Sequence, residues 1–338
     1  MRPLVDGTEV PLAHRHDTAL LDLDGVLYVG PDAVPGAPEA VALAAAAGMR
    51  VAFITNNAAR TPQTVAAHLT DLGIPAEPGD VVTSAQAAAT LVAAQVAPGS
   101  RVLVVGGEGL DAALLEKGLR PVRTAAESPA AVVQGFSPQV GWSLLAEGTY
   151  AVRAGLPWIA SNLDSTVPTP QGLAPGNGAL VEVIAGATGR RPMAAGKPET
   201  PLHDEAVRRT GSRNPLVVGD RLDTDIEGAR RAGVASLLVL TGVTTPTNLV
   251  LADERLRPTY VSRDLRTGLL EAHPAVRRNE SGAWTCGGWV CAATVGAIEL
   301  TGAGEGTDGL RALCVARWES GGAGDPADIG PLVARLGF

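Results

Sequence analysis

Short apolar runs alternate with helix-like stretches along most of this chain, and that alternation restricts the fold to one class. Ala19–Leu23, Val51–Thr55 and Val81–Thr83 read as strands, separated by helical patterns over Pro38–Ala47 and Pro62–Leu72, with Thr61 as N-cap of the second. Ser84 is placed to cap a further helix, Ala85–Ala97, before Pro98-Gly99 breaks the pattern. A second block carries strands Val102–Val105, Ala131–Val133 and Trp158–Ala160, with helices Leu110–Lys117, Leu144–Ala154 and Ala179–Thr188. A third holds helix Thr200–Thr210, strand Leu216–Val218, helix Ile226–Ala232 and strand Ser236–Leu240. Strands alternating with helices predict an α/β protein with a doubly wound parallel sheet, whose ligands collect beyond the carboxyl ends of its strands.

The first of those strand ends is chemically loaded. Leu20-Leu21-Asp22-Leu23-Asp24-Gly25 places two carboxylates two residues apart and follows them with glycine. Residues i and i+2 of a strand point the same way, so both acids leave on one side. Two such carboxylates raise each other's pKa unless a cation sits with them, and a hard, oxygen-seeking ion such as Mg²⁺ suits them. With the metal in place, one carboxylate can attack while its neighbour carries a proton. An Asp-Gly turn after a buried strand accounts for this stretch alone equally well.

Three more pieces share the logic. Thr55-Asn56-Asn57 ends the second strand, Gly196-Lys197-Pro198 precedes a helix, and Gly219-Asp220-Arg221-Leu222-Asp223-Thr224-Asp225 ends a further strand. Asp220 would complete an oxygen site for Mg²⁺, Thr55 offers a hydroxyl and Asn56 a backbone N–H to phosphate oxygens. Of the 27 basic residues only Lys117 and Lys197 are lysines, and a compact ammonium meets phosphate as a point charge. Phosphoryl transfer needs this kind of positioning and charge neutralisation. By contrast, Gly106-Gly107-Glu108-Gly109 lacks a full dinucleotide fingerprint and reads as a tight strand-to-helix turn.

Together these motifs resemble the four motifs of the haloacid dehalogenase (HAD) superfamily, in the subclass IIA branch of p-nitrophenyl, phosphoglycolate and glycerol-3-phosphate phosphatases. The resemblance covers roughly residues 15–265. It implies Asp22 as a nucleophile that forms an aspartyl-phosphate, and Asp24 as general acid and then base. It also implies Mg²⁺ held by Asp22, Asp220 and the backbone carbonyl of Asp24, with Asp225 in the outer shell near Lys197. Gly25, Thr55, Asn56, Asn57 and Lys197 are the phosphate-binding candidates.

The same resemblance implies a cap inserted between the second and third motifs. The expected organisation is a core in two parts, 1–98 and 188–268, a cap at 99–187 and a small α+β appendage at 269–338. Within the cap, the proline- and glycine-rich loop Asn162–Gly178 is the candidate substrate loop, with Asn162, Asp164 and Val167 as its site residues. Val167 stands before Pro168, where resembling phosphatases face the leaving group. A branched apolar residue there favours a compact leaving group, so glycerol 3-phosphate leads, ahead of 2-phosphoglycolate, pyridoxal phosphate and nucleoside monophosphates. A non-catalytic phosphate-binding protein on the same fold is the rival from another class.

Composition narrows the partners. The net charge of −8 and the lack of a basic stripe argue against nucleic acid. No leader-like or membrane-length apolar run is seen, which makes a cytoplasmic enzyme the expectation. Cys286, Cys291 and Cys314 form no CxxC pair and read as buried, reduced thiols. The tail shows short strands Trp284–Cys286, Trp289–Ala293 and Ala297–Leu300 and a helix Gly309–Glu319. Its Gly302-Ala-Gly304-Glu-Gly306 resembles an acetyltransferase pyrophosphate loop. Three of the five tryptophans fall there, so a docking segment or the interface of a homo-oligomer is the expectation.

Overall fold

The computed structural model describes every residue except Met1, Pro170, Val295 and Ala323, together with the side chain of Pro168. The chain divides into two compact units. The first comprises residues 1–52, 72–74 and 212–338, and the second 53–71 and 75–211.

In the first unit, four parallel strands lie in the order Tyr260–Ser262, Ala235–Val239, Pro215–Gly219, Thr18–Leu21. All four residues of Thr18–Leu21 are buried, as expected of a strand covered on both faces. Leu21 pairs with Val218, so Asp22 and Gly219 leave adjacent strand ends. Helices Ala37–Ala46 and Leu265–Leu270 pack on each other. The helix expected over Ile226–Ala232 begins earlier, as a wide turn over Leu222–Ile226 that runs into Glu227–Arg231.

The C-terminal segment is built into this unit's core. Four antiparallel strands, Arg277–Arg278, Trp284–Cys286, Trp289–Thr294 and Ala297–Gly302, are followed by helices Gly306–Glu319 and Pro326–Arg335. Leu310, Leu313, Cys314 and Val315 are fully buried in one cluster with Leu4, Ile226, Leu238, Val250 and Val261. Each large aliphatic side chain removed from water there contributes about 1.5–3 kcal/mol. Tryptophan dipoles tie the seams: Trp318 Nε1 donates to the Val250 carbonyl at 3.1 Å and Trp289 Nε1 to that of Glu305 at 3.0 Å. All three cysteines are free and buried, and burial pushes Cys286 and Cys291 up to about 12.

The second unit holds a five-stranded parallel sheet in the order Met193–Ala194, Trp158–Ala160, Ala131–Gln134, Arg101–Val105, Arg120–Val122. Helices Trp142–Arg153 and Asn177–Thr188 pack on each other and enclose a core of Leu103, Val105, Val132, Val152, Trp158 and Ile184. The unit's Phe53–Thr55 pairs in parallel with Val81–Thr83. Thr83, not Ser84, caps the next helix: its hydroxyl accepts from Gln86 N–H, and the Gln86 side chain returns the bond in a capping box. The loop expected over Asn162–Gly178 contains a β-hairpin, Thr166–Thr169 against Gly172–Pro175, with Val167 opposite Ala174. Pro170 lies outside the described residues. No helix among the described residues is long and apolar enough to cross a membrane.

Candidate functional site

The first unit gathers acids at its strand ends. One carboxylate oxygen each from Asp22, Asp220 and Asp225 lie within 4.8 Å of one another. Asp220 and Asp225 are buried and Asp22 is half-buried. Backbone geometry aims them: Asp22 N–H donates to the Val218 carbonyl at 2.9 Å, continuing the strand pairing by one residue. Asp220 Oδ2 accepts from Val243 N–H at 2.6 Å, and Asp225 Oδ2 accepts from Arg221 N–H at 3.2 Å.

The space beside Asp220 is kept by glycine. A Cβ on Gly25 would meet Asp220 Oδ2 at 2.5 Å, and one on Gly242 would meet it at 2.1 Å. Gly25 also has φ +81°, and its carbonyl accepts from Thr241 Oγ1 at 2.6 Å. Thr241, Gly242 and Val243 follow the Ala235–Val239 strand. They were absent from the sequence-based candidates, although their position beyond a strand's carboxyl end is the signal that marks such residues.

Three converging carboxylates repel unless a cation or proton joins them, and an all-oxygen donor set matches a hard divalent ion. Asp225, expected in an outer shell, has one carboxylate oxygen within 4.8 Å of those of Asp22 and Asp220. Asp24 lies outside that trio and its side chain is exposed, which leaves it room to exchange protons.

The second unit gathers the remaining motif residues around Asn56. Thr55 is buried, and its Oγ1 accepts from Asn57 N–H at 3.1 Å; Asn57 Oδ1 accepts from Ala59 N–H. Asn56 Oδ1 accepts from Lys197 N–H at 2.8 Å, and Asn56 Nδ2 donates to the Lys197 carbonyl at 3.1 Å. The same Nδ2 lies 3.2 and 3.3 Å from the two carboxylate oxygens of Asp164. The Asn56 carbonyl accepts from Ser84 Oγ at 2.6 Å and from Asn162 Nδ2 at 2.7 Å. Asn56 was expected to act through its backbone N–H; the structure shows its side chain as a hub. Val167 is half-buried on the hairpin.

The two lysines have separate surroundings. Lys197 is 4% exposed. Burial first, and then the charge of Lys197, push the His203 imidazole down to about 3, so it is neutral at pH 7. Lys117 Nζ stands 3.7 Å from Glu205, a buried carboxylate that also pairs with Arg208 at 2.6 Å and Arg209 at 2.7 Å. Burial pushes Glu205 up, and its hydrogen bonds from Arg208 and Arg209 outweigh that and hold it at about 2. Lys117 thus serves an internal ion network.

Comparison with known proteins places these residues in a family context. Residues 19–120 match a haloacid dehalogenase-like hydrolase family and residues 194–268 a HAD-hydrolase-like family. Residues 286–337 match a GCN5-related N-acetyltransferase like domain. The D-glycerol 3-phosphate phosphatase of Mycobacterium tuberculosis is 51% identical over 256 residues, 76% of this chain and 72% of that protein. An acid sugar phosphatase of Staphylococcus aureus is 37% identical over 259 residues, 76% of this chain and 98% of that protein. The crystal structure of a glycerol phosphate phosphatase from M. tuberculosis in complex with magnesium superposes with a TM-score of 0.85. It is 46% identical and covers 92% of each chain.

Proposed function

Because the chain belongs to the haloacid dehalogenase-like hydrolases, we propose that it is a Mg²⁺-dependent phosphatase of small phosphomonoesters, with glycerol 3-phosphate as its first substrate. The observation that carries this reading is the carboxylate trio of Asp22, Asp220 and Asp225. Mg²⁺ fits an all-oxygen donor set: Asp22, Asp220 and the Asp24 carbonyl would hold it, with Asp225 behind them, and it would neutralise phosphate charge during transfer.

Asp22 attacks phosphorus and forms an aspartyl-phosphate, while the exposed Asp24 protonates the leaving alkoxide. Asp24, now a carboxylate, then takes a proton from the water that attacks the phosphorus of the aspartyl-phosphate, releasing phosphate and restoring Asp22. Lys197 supplies fixed positive charge, and the Thr55 hydroxyl and the backbone around Gly25 and Asn57 supply donors to phosphate oxygens.

Substrate choice rests on the hairpin. Val167 offers neither charge nor hydrogen bond, so a large polar ring set against it would bury unsatisfied groups. The magnesium-bound and glycerol-phosphate-acting relatives support the same choice. The test is a panel of phosphomonoesters ranked by kcat/KM. Glycerol 3-phosphate is expected to lead. A lead of tenfold or more for pyridoxal phosphate or a nucleotide, about 1.4 kcal/mol of transition-state preference, overturns the assignment.

A further inference from the structure

Asn56 makes more directed bonds than a phosphate-loop residue requires. Its amide grips Lys197 at two points, accepting the N–H at 2.8 Å and donating to the carbonyl at 3.1 Å. A side-chain amide held at both ends this way fixes the peptide planes on either side of Lys197, and with them the direction in which its side chain departs. Gly196 allows the approach, since a Cβ there would stand 2.6 Å from Asn56 Oδ1.

The grip is anchored and loaded from other segments. Ser84 Oγ and Asn162 Nδ2 both bond the Asn56 carbonyl, and the Asn162 carbonyl in turn accepts from Asn177 Nδ2 at 2.7 Å. Asn56 Nδ2 also faces the Asp164 carboxylate, whose backbone N–H donates to Asn162 Oδ1 at 3.2 Å. An ionised acceptor strengthens and orients the amide that faces it. The Asp164 loop and the Lys197 loop therefore meet on one side chain.

The geometry points to Asn56 as a positioning residue that sets Lys197 through its backbone and makes that setting depend on Asp164. This rests on the phosphatase reading, in which Lys197 neutralises phosphate. Its consequence is specific: Asp164 acts on turnover through Asn56 rather than beside it, so the two side chains are not independent.

The test is a double-mutant cycle on the full chain with glycerol 3-phosphate and p-nitrophenyl phosphate, with thermal melting to confirm folding. Asn56→Ala is expected to lower kcat by about 30-fold or more on both substrates while KM changes less than about threefold. Asp164→Ala is expected to lower kcat less, and the double variant to stay within about threefold of Asn56→Ala alone. Should Asn56→Ala fail to fold, Asn56→Asp takes its place in the same cycle. It keeps the acceptor for Lys197 N–H but sets a carboxylate oxygen against the Lys197 carbonyl and Asp164. A double variant whose loss equals the product of the two single losses overturns the inference, as does an unchanged kcat in the Asn56 variant. A wild type without phosphatase activity would instead overturn the function from which it starts.

Discussion

Gly25 and Asp220 are mutually exclusive with any larger side chain: a Cβ on Gly25 would stand 2.5 Å from Asp220 Oδ2. Gly25→Ala must shift the carboxylate or the turn, and φ +81° adds strain. The expected outcome is a soluble protein whose turnover falls by about two orders of magnitude and whose activity needs more Mg²⁺. A Mg²⁺ titration of kcat checks it, and unchanged titration curves would show that the close approach does not matter.

Asp22→Asn keeps the size of the side chain and removes the charge of the proposed nucleophile. Hydrolysis of p-nitrophenyl phosphate should drop by several orders of magnitude, on the scale seen when a covalent nucleophile is removed. The melting temperature should hold or rise, because one repelling charge leaves the trio. Complete chelation of divalent metal should give the same loss in the wild type.

Glu205 makes a prediction about acid. Its pKa falls from the usual 4.5 to about 2 in the folded chain, so the unfolded state binds the proton more tightly. The resulting stabilisation, about 3 kcal/mol at most, is full above pH 4.5 and is lost as pH drops toward 2. Glu205→Gln should lower the urea midpoint strongly at pH 7 and much less at pH 3. Equal gaps at both pH values would contradict the ion network.

Truncation after Gly268 removes Leu310, Leu313, Cys314 and Val315, which share one cluster with Leu238, Val250 and Val261. Apolar area on the remaining strands would then face water. The expected product is aggregated or molten and inactive, although every candidate catalytic residue is retained. A soluble, active fragment with a cooperative melt would show the segment to be an independent attachment.

The strand ends and their acids were readable because buried parallel strands are nearly pure apolar runs, so the first polar residue after each one stands out. Asp22, Thr55 and Asp220 emerge in this way. The hairpin at Thr166–Pro175 did not, because Pro168 and Pro175 interrupt the alternation that marks a strand. Pro331 hid the Pro326–Arg335 helix in the same manner. The Gly306–Glu319 helix was visible, but burial on nearly all its faces has no periodic signature. Nor does a sequence show that the Asn56 amide, rather than its backbone, carries the bonds to Lys197.

The core shared by the two ends of the chain has a consequence during synthesis. Leu4 and Val5 lie in one cluster with residues from Leu222 to Leu336, and Thr18–Leu21 pairs with Pro215–Leu216-Val217-Val218. A ribosome releases the second unit's sheet, residues 101–194, well before those partners exist. The strand that leads to Asp22 must therefore wait, unpaired on that side, until residues 215–218 have been made. Such long-range closure slows folding and lengthens exposure of apolar runs. Asp22 is made long before Pro215–Gly219, the strand that fixes its end of the sheet.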